Sequence, residues 1–358
     1  MSDFFNDVAK LVGQDIVRVA EDGTIADNAT FIDTGCYTLN LALSGSIFGG
    51  APTNKVVGFA ALEAVGKSYL IIQIVRNFLI ENPTGRVIYN DTEGRIDREM
   101  LHSRGVDVSR VLMLYPESIE QFRNVNHQIL VNYRGKPEKE RFPLLMVADS
   151  LTQLPSVKET ADAAADKDAG DMGMRAKAWR SAFRVLRQPL SKAKVAMFCT
   201  NHTYQTTGMF PTTEVAGGGG FKYAADIILM LAKRKDADSD KVVQGNIIHI
   251  RVAKGWNVKQ YSELRAYLSY TKGLDRFFGL QDIALESGVF RKEATRIAMP
   301  NGTKIFEKEL LANPEKYYTQ EVLDKIEQYA KKRFCFSDST ETLNELVGDD
   351  VTEKSPES

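Results

Sequence analysis

The chain has 358 residues, 43% of them hydrophobic and 26% charged, which suits an ordinary globular protein with one large α/β domain and small appendages. A formal net charge of -1 excludes a global basic field, while a local basic surface offset by acid elsewhere stays open. The cysteines Cys36, Cys199 and Cys335 form no C-x-x-C pair, MSDFFNDVAKLVG lacks the apolar core of a signal peptide, and no stretch reaches a membrane span. The expectation is a cytoplasmic protein with buried thiols and no membrane partner.

In chain order, residues 2–12 predict a short amphipathic helix with Phe4, Phe5, Val8, Leu11 and Val12 on one side, followed by a polar connector, Glu21 to Asn28. So short a helix buries that face only by docking, on its own body or on a neighbour, and the connector favours a neighbour. From about Thr34 strands and helices alternate. Strands are expected at 56–61, 86–91, 111–115, 144–149 and 195–201, then at 227–231 and 246–253; helices at 67–80, 97–104, 117–133 and 173–192. This order predicts an α/β fold, a mostly parallel sheet covered by helices with ligands at the carboxyl ends of the strands, the later strands closing it in antiparallel fashion.

Two intervals break the pattern. Residues 155–173 are polar and Ala/Asp-rich, and residues 203–220 are Thr- and Gly-rich, ending in four glycines. Both follow a strand at the end where sites are built, so they read as functional or mobile loops, or as plain surface loops. After about Ile297 the strands fade, helices are expected at 305–312 and 319–333, and the acidic tail 337–358 has too few apolar residues for a core.

The chemistry begins at Ala61-Leu62-Glu63-Ala64-Val65-Gly66-Lys67-Ser68, followed by Tyr69. It fits the phosphate-binding loop G-x-x-x-x-G-K-[ST] except that Ala61 stands in place of the first glycine. Gly66 lets the backbone bend and aim N–H groups at phosphate oxygens, Lys67 brings charge to the β and γ phosphates, and Ser68 offers a hydroxyl to Mg²⁺. Ala61 is costly only if its φ is positive. A second apolar strand ends in Asp149, which suits a water-mediated Mg²⁺ contact or a simple turn cap. At the end of a third strand Asp91, Glu93, Asp97 and Glu99 compete, on spacing alone, for the group that takes a proton from an attacking water. His202, at another strand end, reads as a phosphate sensor or as a structural histidine.

Over roughly residues 31–290 the ordered motifs resemble the RecA-type recombinases, most closely the UvsX recombinases of T-even-like bacteriophages. The resemblance rests on DTGCYTLNLALSGSIFGG, AALEAVGKS, NDTEGRID, VADSLTQL, KETADA with RAKAWRSAFRVL, and TNHTYQTTGMF with GGGGFKYAAD. It implies a RecA-like core at 31–296, a polymerisation helix and linker at 1–30, a helical region at 297–336 and a disordered tail at 337–358. It implies a DNA-dependent ATPase that uses ATP and Mg²⁺ to form filaments on single-stranded DNA and exchange strands with homologous duplex DNA. Its implied partners are copies of itself, a phage single-strand binding protein and a recombination mediator, in the host cytoplasm.

By position, the resemblance makes Glu93 the water-activating base, Asp149 the Mg²⁺-linked acid and His202 the γ-phosphate sensor. Lys67 and Lys254 join Glu93 in catalysis, Asp97 and Met100 join the nucleotide-binding residues, and Met100 lies where relatives stack an aromatic ring on adenine. DNA would meet Arg175 and Lys177 beside a first loop at 157–174. It would also meet Thr203, Met209, Phe210, Gly217 and Gly218 around a second at 203–217. The tail would compete electrostatically with DNA. Relatives place two cations, two residues apart, where this chain has Lys254 and Trp256, so a reduced hydrolysis rate is implied, with Lys259 a possible substitute cation. An attenuated filament or mediator protein is the alternative; a hexameric helicase fits the two loop motifs less well.

Overall fold

The computed structural model describes residues 3–13, 20, 24, 30–165, 172–206, 213–216, 219–237 and 243–336. The tail, most of the connector, and Met209, Phe210, Gly217 and Gly218 lie outside the described residues. Helix α1 (Asp3–Val12) comes first, and Phe4 and Leu11 on it stay 70% and 85% exposed. Strand β1 (Phe31–Ile32) then pairs with β2 (Ala51–Pro52) around α2 (Tyr37–Ser44).

The alternating body follows: β3 (Val56–Ala61), α3 (Lys67–Glu81), β4 (Arg86–Asp91), α4 (Arg98–Ser103), β5 (Val111–Leu114), α5 (Ile119–Gly135) and β6 (Leu144–Asp149). It continues through α6 (Val157–Ala164), α7 (Met172–Ala193), β7 (Ala196–Gln205), β8 (Thr213–Val215) and α8 (Gly219–Ala224). The last sheet strands are β9 (Ile227–Ala237), β10 (Val243–Lys254), β11 (Glu263–Ser269) and β12 (Gly273–Leu274).

Among the described residues these build a ten-stranded sheet in the order β12-β11-β10-β9-β3-β7-β6-β4-β5, with β8 hydrogen-bonded to β7. Strands β9, β3, β7, β6, β4 and β5 run parallel, and β10 to β12 close the sheet antiparallel, as the alternation predicts. The parallel strands are apolar where helices cover both faces, while β7 and β9 run on into exposed polar residues such as Gln205 and Lys233. One core lies under α2 and α3, the other under α5 and α7. On the second face Phe221 of α8 sits directly on Gly58 of β3, where an added Cβ would lie 2.5 Å from its ring.

Three regions differ from expectation. Of residues 203–220, read as loop, 203–205 extend β7, 213–215 form β8 and 219–220 begin α8. Residues 157–164, read as loop, form α6, because Ser156 and Glu159 close a reciprocal capping box. Strands do not fade at the end of the core: β13 (Arg291–Glu293), β14 (Arg296–Ala298) and β15 (Lys304–Phe306) make an antiparallel sheet, so the helix expected at 305–312 begins only at Glu307 as α10 (Glu307–Ala312), before α11 (Pro314–Tyr317) and α12 (Gln320–Phe334). α9 (Leu280–Glu286) links this unit to the body. Those strands are three residues each and largely polar outside Ile297 and Ile305, too short to show a period.

Candidate functional site

Register brings the candidate residues to one rim. Ala61 of β3 lies opposite His202 of β7, Phe59 opposite Thr200, and Asp91 of β4 opposite Asp149 of β6. Parallel strands of equal phase end together, so the loops after β3, β4, β6 and β7 share one edge of the sheet.

The loop after β3 turns through Ala64 at φ 57 and Gly66 at φ 108 before α3 begins. Ala61 is the last residue of β3 and is not among the positive-φ residues, so its Cβ costs nothing there; the left-handed strain falls on Ala64 instead. Lys233 of β9 donates to the carbonyl of Ala64 and steadies that turn. Leu62, Glu63 and Ala64 are exposed while Val65 is buried beneath them. No side chain caps the start of α3 and no acid occupies its first turn, so its N–H groups and dipole face the rim unneutralised. Lys67 is buried and donates to the carbonyls of Ala61 at 3.2 Å and Leu62 at 3.1 Å. Burial lowers its pKa, and the negative charges of Asp149, Glu93 and Glu63 pull it back up.

The four competing acids separate by what they hold. Asp91 is spent on the backbone: it accepts from the N–H groups of Glu93, Gly94 and Ile96 at 3.1, 2.9 and 3.0 Å. Asp97 caps α4 through Met100 N at 2.6 Å, and Glu99 is exposed in the first turn of that helix. Glu93 points into the rim. Its Oε1 accepts from Ser150 Oγ at 2.9 Å and lies 3.5 Å from His202 Nε2, and its Oε2 lies 3.1 Å from Arg95. That imidazole nitrogen is buried with no hydrogen-bond partner among the described residues.

Asp149 is buried and held from both sides. Tyr89 donates to Oδ2 at 2.9 Å, and Thr200 donates to Oδ1. Burial and the neighbouring carboxylates keep the Tyr89 phenol well above its ordinary pKa, so it stays a donor. Ser68, on the first turn of α3, is partly buried. The available donors are hydroxyl and carboxylate oxygens, a set that suits Mg²⁺.

Around this centre Tyr69 donates to the carbonyl of Ser269 at 2.9 Å, with the Arg104 guanidinium 5.0 Å from its ring centroid. Met100 is partly buried against the core. Lys254 lies elsewhere: it pairs with Ile228, which lies opposite Gly58, three residues (about 10 Å) back along β3 from Ala61 at the rim. There it donates to the carbonyls of Lys222 at 3.0 Å and Ala225 at 2.6 Å, and burial lowers its pKa. Trp256 is 38% exposed with Lys55 5.3 Å from its ring centroid. Lys259 donates to Arg333 O at 3.2 Å at the end of α12, so its ammonium is committed away from the rim.

Of the described DNA candidates, Arg175 folds back onto the carbonyls of Leu154 and Thr152, Lys177 is exposed on α7, and Thr203 pairs with Val215 in the β7–β8 hairpin. The returning strand of that loop is tied to the rim, since Ala216 N donates to His202 O at 2.8 Å. Sequence reasoning missed Tyr89, Ser150, Thr200, Arg95 and Lys233. It also missed a groove of about 480 Å³ beside α7, lined by Arg180, Arg184, Arg187 and Tyr223. The i, i+4, i+7 spacing of those arginines on a helix was a legible signal.

A strand–loop–helix phosphate cradle, with carboxylates at the ends of adjacent parallel strands, defines a P-loop α/β protein. A family model described as the RecA N-terminal domain matches residues 2–275, and the chain belongs to the RecA family. It is 33% identical over 251 residues to the "Recombination and repair protein" of Enterobacteria phage T4, covering 70% of this chain and 62% of that protein's length. It is 23% identical over 285 residues to "Protein RecA" of Thermotoga sp. (strain RQ2), covering 79% and 76%, and 26% identical over 263 residues to that of Nocardioides sp. (strain ATCC BAA-499 / JS614), covering 73% and 71%.

Proposed function

We propose that this chain is an ATP-dependent recombinase: a DNA-dependent ATPase that forms filaments on single-stranded DNA and exchanges strands with homologous duplex in recombination, repair and replication. The observation that carries the reading is the convergence of Lys67, Glu93, Asp149 and His202 on one rim, with the base of the Gly-rich loop hydrogen-bonded to His202. The names of the phage and bacterial relatives point the same way.

The uncapped start of α3 and the buried His202 Nε2, which makes no hydrogen bond among the described residues, fit a triphosphate. Mg²⁺ would be held by Ser68 and, through water, Asp149, and when bound it neutralises charge on the phosphates. Lys67 exchanges its two carbonyls for phosphate oxygens. Glu93, oriented by Ser150, accepts the proton of the water that attacks the γ phosphorus, and ADP leaves with the bridging oxygen. Lys254 sits away from the rim, so in a head-to-tail stack it serves the nucleotide of an adjacent copy rather than its own. Helix α1, with Phe4 and Leu11 exposed, supplies an apolar face for such a neighbour.

Ala61, lying in regular strand, gives no reason for slow hydrolysis, whereas Trp256 carries no charge and would lower the rate. A phage single-strand binding protein, a mediator and the host cytoplasm complete the reading. No helix among the described residues is long and apolar enough to cross a membrane. The test is ATP turnover with and without single-stranded DNA, alongside electron microscopy. Stimulated turnover and filaments are expected; neither turnover nor filaments would refute the reading.

A further inference from the structure

Arg95 stands between the two walls of the rim. Its guanidinium lies 3.1 Å from Glu93 Oε2 and 3.9 Å from Glu63 Oε1 on the phosphate-binding loop. The backbone around it is pinned, because Asp91 holds the N–H groups of Glu93, Gly94 and Ile96 on both sides of it. The side chain is not pinned: it is 66% exposed and, among the described residues, bonded only through ion pairs, which at that exposure are weak.

As the chain stands, both oxygens of Glu93 are engaged, one by Ser150 and one by Arg95. A general base needs a lone pair free for the water it activates, and that water lies within hydrogen-bond reach of both Glu93 and the γ phosphate. A cation in contact with Glu93 is therefore within one water of the terminal phosphate. The phosphate carries more charge than one carboxylate and accepts the planar guanidinium in bidentate fashion.

We propose that Arg95 is a γ-phosphate contact that exchanges partners on nucleotide binding, leaving Glu93 Oε2 for the terminal phosphate. One side-chain movement then frees the base and places positive charge where negative charge develops. This rests on the ATP-site reading above and adds a cation supplied by the same chain.

The experiment measures ADP and ATPγS affinities, with Mg²⁺, for wild type, Arg95→Ala and Arg95→Lys by titration calorimetry. ADP lacks the γ phosphate, so its affinity in Arg95→Ala should match wild type and report an intact site. The preference for ATPγS over ADP should fall about tenfold in Arg95→Ala, the loss expected of one charge-assisted hydrogen bond, and recover in part in Arg95→Lys. An unchanged preference in Arg95→Ala, or an equal loss for both nucleotides, overturns the role of Arg95. A wild-type chain that binds neither nucleotide overturns the ATP-site reading itself, and this inference with it.

Discussion

Tyr89→Phe removes one oxygen from the centre of the molecule and little else. The ring is fully buried and stays packed in phenylalanine form, so the change isolates the hydrogen bond from Tyr89 to Asp149 Oδ2, 2.9 Å long. A hydrogen bond to a buried charged group contributes about 1.5–3 kcal/mol. At about 2 °C per kcal/mol for a core of this size, Tm should fall by roughly 3–6 °C. Thr200→Val removes the second donor, and because both serve one carboxylate the double variant should not be additive. The pH dependence has a definite sign. Folding raises the Tyr89 pKa, so its contribution is complete below the unfolded value near about pH 10 and is lost as pH rises beyond it. Tyr89→Phe should therefore flatten part of the alkaline loss of stability. Differential scanning calorimetry between neutral pH and the alkaline limb measures both effects, and the Mg²⁺ concentration needed for half-maximal turnover should rise in the same variant. A Tm within about 1 °C of wild type would show that the phenol does not hold Asp149.

Glu93→Gln should lower turnover by about 10²–10⁴-fold while leaving triphosphate affinity and triphosphate-driven DNA binding in place, read by phosphate release and fluorescence anisotropy. Ala61→Gly should leave turnover within about twofold and cost about 0.5–1 kcal/mol of stability, since the position is extended strand; a several-fold gain in turnover would refute this. Gly58→Ala should destabilise the chain by about 1–3 kcal/mol in urea unfolding, because the new methyl meets the ring of Phe221 at 2.5 Å and pushes α8 outward.

Strands β3, β4 and β6 were legible to the residue, because each is a continuous apolar run that stops at a loop or a carboxylate. Helix α2 was not read: all eight of its residues are buried, so no polar face marks its period. Strand β11 was overlooked although Glu263, Arg265 and Tyr267 alternate with buried Leu264, Ala266 and Leu268. At the rim, Gly66-Lys67-Ser68 and the strand-end acids were visible because their chemistry needs particular types at particular spacings. Tyr89 and Thr200 were invisible for the opposite reason: inside a strand, a tyrosine or threonine looks like any core or sheet residue until a partner is seen. Spacing left four acids in competition, and backbone hydrogen bonds distinguish them by removing Asp91 and Asp97 to structural duties.

Lys67 and Lys254 rest on main-chain carbonyls. A carbonyl has a dipole but no net charge, so these resting contacts are little weakened by dissolved ions. The pull of a phosphate on the same ammonium groups is long-ranged and screened, with a Debye length of about 8 Å at physiological ionic strength. Raising the salt concentration therefore weakens the approach of the anion more than it weakens the resting contacts. The free arrangement is the one the chain falls back to in concentrated salt, and the anion-loaded arrangement has to be won under dilute conditions.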